Sequence, residues 1–363
     1  MTTKTRVAVV GGGPAGLASA LALAQQGARV TLSERAPALA EAGAGLQISP
    51  NGARALGALG LSETLADIGL ASRAVVPTDG LTGRPVARFD LTRQSPRYRF
   101  VTRTALVEAL ARACRDAGVE IRLGVVEADT SDAELIVGAD GVRSGLRAKL
   151  NGAAAPQFTG QVAWRATIPA EAAPEARIWM LPGRHVVTYP LPGGRLNIVA
   201  VQERSAWAEE GWRLPGDPDA LRVAFADVCP ELSALLQDVT ETALWGLFLH
   251  PVAPRWQDGR HVLVGDAAHP TLPFLAQGAN LALEDAVVLA RCLGQGGLAA
   301  YEAARKPRVT RAIAAARANA SNYHLSGLKR RVAHAGLGAL GRIAPDAFVA
   351  RLDWLYGFDP ASD

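Results

Sequence analysis

The amino-acid sequence predicts an α/β protein that combines a parallel sheet, an antiparallel sheet and a helical C-terminal segment. Three observations lead to this prediction. A short apolar run at 7–10 ends in a cluster of glycines and precedes a helical pattern. Two later apolar runs, at 135–137 and 262–264, each end in a glycine followed closely by an aspartate. Between them, residues 155–255 contain a series of short β-like apolar runs.

The composition is that of a globular protein without a nucleic-acid or membrane-spanning signal. The 363 residues suffice for two domains. The net charge of +4 is mild and the arginines are scattered, so no basic tract indicates nucleic acid. No apolar stretch reaches the roughly 18 residues that a transmembrane helix needs.

The three cysteines, Cys114, Cys229 and Cys292, are single and far apart. This spacing fits neither a metal site nor a disulfide framework, so we expect no metal and a reducing compartment, the cytoplasm. The N-terminal run after Lys4 and Arg6 resembles a secretory signal, but glycines interrupt it where the apolar core of a signal is continuous.

The first 34 residues have the pattern of a βαβ unit. The apolar run 7–10 fits a strand buried on both faces of a parallel sheet. Pro14 suits the first turn of a helix, apolar residues recur after it at helical spacing, and Gly27 ends the helix. Residues 30–32 then form the next strand.

Within this unit, Gly11, Gly13 and Gly16 form the pattern Gly-x-Gly-x-x-Gly. The first glycine permits a tight turn, the second lets a pyrophosphate approach the backbone, and the third allows close helix packing. Glu34 lies 18 residues beyond Gly16, near the position of an acid that binds ribose hydroxyls. Arg35 either neighbours the adenosine or is a surface charge. We predict a dinucleotide-binding site here, and no second fingerprint of this kind occurs in the sequence.

Two further strand-to-acid patterns follow along the chain. One apolar strand runs into Gly138 and Asp140, and a second runs into Gly265 and Asp266. A helix then begins near 276–280, with its free amides facing an anion or a carbonyl. Each glycine–aspartate pair taken alone could be a simple turn at the end of a strand. Together with the glycine loop, they indicate one extended cofactor held at both ends, which favours FAD over NAD.

The three motifs, in this order, resemble those of the group A flavoprotein monooxygenases, the aromatic-ring hydroxylases. The run Gly265–Asp285 is most similar to the salicylate and 3-hydroxybenzoate hydroxylase branch, with its Ala-Gln-Gly-Ala and Leu-Glu-Asp-Ala segments. The pieces Tyr301–Arg305 and Trp354–Gly357 also resemble that branch. The resemblance covers nearly the whole chain.

The resemblance implies a para-hydroxybenzoate hydroxylase-like fold. A Rossmann-like FAD-binding domain would comprise residues 1–154 and 256–300, a mixed or antiparallel β-sheet substrate domain residues 155–255, and a C-terminal helical segment residues 301–363. It also implies an enzyme that consumes NADH or NADPH as a transient co-substrate. That enzyme would hydroxylate a small phenolic or carboxylated aromatic with O2 through a flavin C4a-hydroperoxide, as a monomer or homodimer. Alternatives are a same-fold epoxidase or other flavin oxygenase, and a non-catalytic FAD-binding protein.

The resemblance also assigns cofactor contacts to individual residues of the three motifs and of the loop 43–47. These residues are Gly11, Gly13, Ala15 and Gly16 at the pyrophosphate, Glu34 with Arg35 beside it at the adenosine, Val126 at the adenine, Arg103 at the phosphate and ribityl region, Asp140 toward FAD and NAD(P)H, Asp266 at a ribityl hydroxyl, and Gly45, Leu46, Gly278, Ala279 and Asn280 at the flavin. The family usually has a small β-meander before the second motif. Only 124–134 is available here, so we expect a reduced meander and altered adenine contacts.

Several residues are candidates for contact with the substrate, and two of them could instead have a structural role. Arg165 either pairs with a substrate carboxylate through a bidentate fork or braces an interdomain salt bridge. Tyr189 either hydrogen-bonds a phenol or is a buried structural tyrosine. Gln277 matches a residue that the branch places at the substrate, and Gln47 and Pro273 are expected to line the same site.

The catalytic base is not indicated by one position. Gln202 occupies roughly the place where the branch has a histidine base, so another group or a water would have to serve. The catalytic candidates are Gln277, Tyr189 and His250. His185 and His269 are further histidines that could act as the base.

The middle and C-terminal segments have simple patterns. Apolar runs at 161–168, 176–180, 185–189, 196–201 and 243–249 predict strands of an antiparallel sheet, with a hairpin turn at 193–194 and one face over the flavin. Residues 219–236 are predicted to be helical. The segment 306–350, rich in alanine and arginine, is predicted to be helical. It either lies on a membrane surface, or packs on the first domain with a solvated face, or forms a dimer contact.

Overall fold

The computed structural model describes residues 5–39, 45–205, 207 and 214–362. The strands in chain order are β1 (Arg6–Val10), β2 (Arg29–Glu34), β3 (Gly45–Ile48), β4 (Leu70–Ala71), β5 (Ala74–Asp79), β6 (Phe89–Asp90), β7 (Arg99–Thr102), β8 (Glu120–Leu123), β9 (Leu135–Gly138), β10 (Gln157–Pro169), β11 (Glu175–Leu181), β12 (Arg184–Leu191), β13 (Arg195–Glu203), β14 (Leu214–Gly216), β15 (Thr242–Leu249) and β16 (His261–Leu263).

The α-helices in chain order are α1 (Pro14–Gln25), α2 (Pro50–Ala58), α3 (Ser62–Ile68), α4 (Arg103–Asp116), α5 (Gly145–Asn151), α6 (Pro218–Ala224), α7 (Pro230–Gln237), α8 (Gly278–Leu293), α9 (Gly297–Tyr323), α10 (Gly327–Ile343), α11 (Pro345–Ala350) and α12 (Asp353–Tyr356). Two short 3-10 helices, Gly265–Ala267 and Pro273–Leu275, lie between β16 and α8.

A five-stranded parallel sheet forms the first layer, in the order β16-β9-β1-β2-β8. The three central residues of β1 are buried, as a strand covered on both faces requires. α1 begins at Pro14, and Gly27 follows it with a φ of +89°. The predicted βαβ unit is confirmed. The carboxyl ends of all five strands meet at one edge, which is where such sheets bind ligands.

A mixed eight-stranded sheet forms the second layer, in the order β14-β15-β10-β13-β12-β11-β5-β6. The five strands predicted between 161 and 249 are present as β10 to β13 and β15, with antiparallel pairing. β5 and β6 extend this sheet beyond β11, although their residues belong to the N-terminal segment 1–154. Sequence patterns did not predict this extension, because pairing between distant segments leaves no trace in local alternation.

The two faces of the larger sheet have different neighbours. One face packs on α6 and α7, where Trp164 and Ile198 meet Leu221 and Phe225. The opposite face meets the loop before α8 and the end of α9 through a smaller apolar cluster. We call this opposite face the site face; strand register places on it Ala163, Arg165, His185, Tyr189, Asn197, Val199, Val201 and Trp245.

The segment 219–236, predicted as one helix, is two helices, so this prediction was wrong in its continuity. α6 ends at Ala224 and α7 begins at Pro230. A proline has no N–H and clashes with the preceding turn, so it is favoured in the first turn of a helix and disfavoured in its interior. Cys229 before it is extended for the same reason.

The predicted lack of strands at 124–134 and the predicted helical C-terminal segment agree with the structure. Residues 124–134 contain no strand, and Val125 donates its N–H to the carbonyl of Glu34 at 2.9 Å. The C-terminal segment is helical from α9 to α12, and α9 buries Tyr301 and Arg305. In the described part of the chain, no helix is both long and apolar enough to cross a membrane. The predicted role of the C-terminal helical segment, as a surface of the first domain or as a dimer contact, stays a prediction.

Replacing Gly16 with alanine is expected to destabilise the fold. A Cβ at this position would lie 1.9 Å from the carbonyl oxygen of Gly11 in the loop after β1, which cannot move away at low cost. Overpacking of this kind costs about 1–3 kcal/mol, so the midpoint of urea unfolding should fall.

The matched control is Gly336→Ala on the exposed helix α10, where a Cβ would meet nothing within 4 Å. Because glycine weakens a helix interior, this control should raise the free energy of unfolding by about 0.5–1 kcal/mol. Equal midpoints for the two variants would contradict the close packing of α1 on the glycine loop.

Candidate active site

The carboxyl edge of the parallel sheet brings the predicted cofactor residues into one row. β16, β9, β1 and β2 are neighbours in that order. Asp266 follows β16 and Asp140 follows β9. The loop Gly11–Gly13 follows β1, and Glu34 is the last residue of β2. Four adjacent strands span about 14 Å at about 4.8 Å per strand. The row therefore suits an extended ligand with acids near both of its ends.

The glycine loop has one crowded and one open glycine. Gly11 has a φ of +109°, and a Cβ there would lie 2.3 Å from the carbonyl oxygen of Ala139, so only glycine fits. A Cβ at Gly13 would meet nothing within 4 Å. Gly13 is the N-cap of α1 and provides no side-chain cap. The first N–H groups of α1 therefore have no side-chain cap, and a phosphate beside Gly13 could accept from them.

Glu34 is anchored to the glycine loop. One carboxylate oxygen accepts from the N–H of Gly12 at 2.5 Å and the other from the N–H of Ala36 at 2.8 Å. Each oxygen keeps a further lone pair that can accept from a ribose hydroxyl. Arg35 is exposed, and so is Val126, at 83% of its surface. Their predicted adenosine contacts stay predictions.

The two aspartates of the row have unused hydrogen-bonding capacity toward the described residues. Asp140 Oδ2 accepts from the N–H of Leu146 at 3.3 Å, whereas its Oδ1 is buried without a hydrogen-bond partner among the described residues. Burial raises the pKa of Asp266, and the nearby charges of His269 and Arg103 partly offset it. A buried carboxylate is costly without donors, and the hydroxyls of a polyol chain would supply them. These residues fit FAD.

The turn that carries Asp266 packs against the start of α1. Gly265 has a φ of +58°, and a Cβ there would lie 2.8 Å from the Cβ of Ala15. Ala276, just before α8, also has a left-handed φ of +51° and is the one non-glycine residue in this region of φ among those described. Gln277, the N-cap of α8, makes no side-chain cap. The amides of Gly278 and Ala279 are thus available for an acceptor group.

A buried ionic cluster fixes this turn from behind. Asp285 accepts from the N–H of Gly265 at 2.8 Å, from His269 Nε2 at 2.5 Å and from Arg305 Nε at 2.7 Å. Arg305 Nη1 also donates to Glu284 at 2.6 Å. Burial opposes the ionisation of Asp285, but His269 and Arg305 hold its pKa below the usual range. Each charge in the cluster is paired, as burial requires.

A second set of polar side chains joins α8 to the end of β3. Gln277 Nε2 donates to Ser49 Oγ at 3.0 Å, and its Oε1 accepts from Asn51 Nδ2 at 3.0 Å. Asn280 donates to the carbonyl of Gln47 at 2.9 Å and accepts from the N–H of Ser49 at 3.0 Å. Both amides are buried and bound to protein groups. The substrate role of Gln277 stays a prediction, and its position here is that of a link between loops.

The site face meets the loop 43–47 at Gly45, the first described residue of that loop. Gly45 donates its N–H to Asn197 Oδ1 at 3.0 Å, and a Cβ on Gly45 would lie 2.8 Å from Tyr189 Oη. Tyr189 and Asn197 are directly opposite each other on β12 and β13. Asn197 Nδ2 is buried without a hydrogen-bond partner within the described ranges. Residues 43 and 44 of the predicted loop lie outside the described residues.

Other predicted residues surround this contact. Burial raises the pKa of Tyr189, and the nearby Arg165 guanidinium partly offsets it. Arg165 also lies over the Trp245 ring, 5.1 Å from its centroid. Leu46 pairs with Val101 on β7, which leads into Arg103. Gln47 lies next to this pair and accepts from the hydroxyl of Tyr98 at 2.8 Å.

The histidines are not equivalent. His269 belongs to the buried ionic cluster, and His250 lines a small pocket with Asp266 and the exposed Pro273. His185 is buried on the site face, with its ring centroid 5.6 Å from that of Phe274 in the loop before α8. Gln202 lies directly opposite Val162, so it points to the other face of the sheet. A base at position 202 would point away from the cofactor edge.

Sequence reasoning missed several residues of the site. Asn51, Asn197, Glu284, Arg305 and Arg308 were given no role, yet each lies in or against the polar contacts described above. Glu284 and Arg305 lay within segments noted for their resemblance to the hydroxylase branch, which was the available signal. Asn197 is a lone amide within an apolar strand, and that anomaly was also visible.

A sheet edge with acids near both of its ends, next to a second sheet at Asp266, fits a flavin-dependent oxidoreductase. Family models agree, since residues 4–128 and 126–316 match the FAD binding domain family. The chain is 36% identical to 3-amino-4-hydroxybenzoate 2-monooxygenase of Streptomyces cremeus over 88% of each chain. It is 33% identical to 3-hydroxybenzoate 6-hydroxylase 1 of Aquipseudomonas alcaligenes over 97% of each chain.

A solved structure of a salicylate hydroxylase in a substrate complex superposes with a TM-score of 0.80, over 100% of this chain and 97% of that one. At 24% identity this likeness shows the fold. The chain belongs to the FAD binding domain family and is an FAD-dependent monooxygenase of the group A type. Use of NADH or NADPH is typical of that family.

Replacing Arg305 with alanine should cost about 3–5 kcal/mol of folding free energy, because it removes the fully buried cation that pairs with both Glu284 and Asp285. Urea unfolding monitored by circular dichroism measures the loss. The control is Arg93→Ala, whose side chain is 80% exposed in a surface pair with Asp346 and should change stability by less than about 1 kcal/mol. Similar losses for both variants would contradict the central place of the cluster.

Replacing Asp266 with alanine should weaken FAD binding by about 10- to 150-fold, which corresponds to the loss of a hydrogen bond to a charged group. The stability of the FAD-free protein should not fall, because no described residue donates a hydrogen bond to this carboxylate. Flavin fluorescence titration and urea unfolding measure the two effects. Asp346→Ala, 76% exposed, is the control. Unchanged FAD affinity in the Asp266 variant would count against the site.

Proposed function

We propose that the enzyme hydroxylates a small aromatic ring that carries both a hydroxyl and a carboxylate group. The observation that carries the proposal is the composition of the site face. Between apolar side chains it presents a guanidinium, a phenol, a primary amide and an imidazole, from Arg165, Tyr189, Asn197 and His185. These groups lie opposite Gly45 and Phe274, on the loops expected to border the flavin.

The carboxylate is proposed to bind near Arg165 and Asn197. A guanidinium can hold a carboxylate through two parallel hydrogen bonds. The unsatisfied Asn197 Nδ2 adds a donor close to the same place, and a buried donor of this kind favours a ligand that accepts from it. The two named relatives act on hydroxylated benzoates, which supports a substrate of this class.

His185 is proposed as the base that removes the phenolic proton. Burial lowers the pKa of His185 well below its usual value of 6.5, and the neighbouring His324 lowers it further, so the ring is neutral at pH 7. A neutral imidazole can accept a proton from a phenol. Ionising the phenol makes the ring more electron-rich and therefore more reactive toward an electrophilic oxygen donor.

The residues of the parallel-sheet edge are proposed to hold and orient the cofactor. The bound FAD supplies the redox chemistry with NAD(P)H and O2. Glu34, the glycine loop and Asp266 fix the cofactor along the sheet edge, while the second sheet covers it and excludes water. Exclusion of water strengthens every polar contact in the site and protects reactive species from side reactions.

The test is a substrate panel with the purified, FAD-loaded protein. NADH and NADPH oxidation is followed with 3-hydroxybenzoate, 3-amino-4-hydroxybenzoate and salicylate, and products are identified by mass. The expected result is a gain of one oxygen atom on the ring. Benzoate, which lacks the hydroxyl, and 3-hydroxybenzyl alcohol, which lacks the carboxylate, are the matched controls and should be poor substrates. Turnover of both controls at the rate of the acids would overturn the proposal, as would bound FAD that neither nucleotide reduces.

His185→Gln should lower kcat by about 10²- to 10⁴-fold, the usual worth of a general base, without weakening FAD binding. In the wild-type enzyme, kcat/KM should fall only at a pH below 6.5, because the lowered pKa keeps His185 unprotonated down to that range. Steady-state kinetics from pH 5 to 8 checks both. An acid limb above pH 6.5, or a variant with full kcat, would exclude His185 as the base.

A further inference from the structure

Three side chains form a hydrogen-bonded chain from the site face to the protein surface. His185 Nδ1 and His324 Nε2 are 2.7 Å apart, and His324 Nδ1 lies 2.8 Å from Glu203 Oε1. Both histidines are buried, whereas 57% of the Glu203 side chain is exposed. The chain therefore connects a buried ring nitrogen with solvent.

Regular backbone structure fixes these three residues relative to one another. Gly183 in the turn between β11 and β12 donates its N–H to the carbonyl of His324 at 3.1 Å and accepts from the N–H of Glu203 at 3.0 Å. Its φ of +65° suits glycine. His185 lies directly opposite Val201 on β13, two residues before Glu203. The geometry of the chain thus depends on paired strands and the end of α9.

The carboxylate determines the protonation pattern of both rings. An ionised carboxylate only accepts hydrogen bonds, so His324 Nδ1 must carry a proton and donate it to Glu203. The Nε2 of a neutral His324 then accepts, so His185 Nδ1 must donate to it. His185 Nε2 is left with its lone pair. That is the tautomer a general base needs, and it is set by a residue two hydrogen bonds away.

The other groups around the two rings are uncharged or paired elsewhere. Phe274 and Tyr323 lie against His185, with ring centroids at 5.6 and 5.2 Å. Gln161 Nε2 is 3.4 Å from His324 Nδ1, a longer contact than that of Glu203. Arg330, on α10, pairs with Asp79 at 2.7 Å. Burial lowers the pKa of His324 and Glu203 partly restores it, so both rings are neutral at pH 7.

We infer that His324 and Glu203 are positioning residues that orient His185 and pass the proton of the substrate phenol to solvent. This inference rests on the proposed function, because it needs a phenol at His185 Nε2. The phenolic O–H bond breaks as the Nε2–H bond forms, and the Nδ1 proton of His185 moves to His324 Nε2. The Nδ1 proton of His324 then moves to Glu203, which exchanges it with water. One phenolate and one protonated carboxyl result, so charge balances.

The first arm of the test reads the tautomers directly and needs no substrate. The FAD-loaded protein, labelled with ¹⁵N-histidine, is studied by NMR, and His185→Gln and His324→Gln assign the two rings among the six histidines. The expected wild-type pattern is a protonated Nδ1 on both rings. Glu203→Gln should mix the tautomers at both rings. Glu241→Gln, another exposed glutamate of the same sheet region, should leave them unchanged.

The second arm measures proton transfer. The same proteins are mixed anaerobically with 3-hydroxybenzoate in a stopped-flow instrument, and proton release is followed with a pH indicator. Glu203→Gln should slow release by about 10-fold, a part of what a general base is worth, and Glu203→Asp should recover part of the rate. His324→Gln should slow it at least as much. Since Glu203 is exposed, its variants test the inference even if His324→Gln folds poorly.

The outcomes separate this inference from the proposed function. A wild-type His185 protonated at Nε2, or tautomers unchanged in Glu203→Gln, overturns the inference whatever the substrate panel shows. Equal release rates in the wild type and Glu203→Gln also overturn it. No release from any form, with the expected tautomers present, overturns the phenolic substrate of the proposed function and leaves the coupling of the three side chains supported.

Discussion

The site depends on the carboxylate of Asp285. In the buried interior this one group accepts hydrogen bonds from the amide of Gly265, from His269 and from Arg305. Charges buried in this way hold only when each has its partners, so the cluster tolerates one geometry. That geometry fixes the turn that carries Asp266. Two of the residues that fix it, Asp285 and Arg305, lie on α8 and α9, outside the turn. The turn is thereby held in place by the two helices packed behind it.

The two larger sheets are suited to different ligands. The edge of the parallel sheet offers backbone amides and acids in a row, which suits a long molecule with phosphates and hydroxyls. The site face of the mixed sheet offers scattered polar groups among apolar ones, which suits a small flat ring. The site face is joined to the short strand β3 by the hydrogen bond from the N–H of Gly45 to Asn197. Because Asn197 Nδ2 has no hydrogen-bond partner among the described residues, the same residue can hold Gly45 and still offer a donor to a ligand on the site face.

Sequence patterns were sufficient where the chemistry is local. Glu34 ends a predicted strand, and Asp140 and Asp266 follow predicted strands within a few residues, so the placement of these acids at one edge of the sheet could be predicted. The polar contacts behind it could not, because Asn51 and Glu284 are 233 residues apart and meet only in the folded chain. The resemblance places the histidine base of the branch roughly at position 202, but a resemblance in sequence does not show which face of a strand a residue lies on. Register shows that His185, and not residue 202, is on the site face.

The unsatisfied oxygens at the cofactor edge affect more than catalysis. Asp140 Oδ1 is buried without a partner among the described residues, and Asp266 is kept in a setting that raises its pKa. A ligand that donates hydrogen bonds to these oxygens satisfies them. Any ligand that binds only the native state stabilises that state by mass action, by about 2.7 kcal/mol at a concentration one hundred times its Kd. Bound FAD would therefore also protect the fold, and chains that have not yet bound it would be less stable and more open to proteolysis.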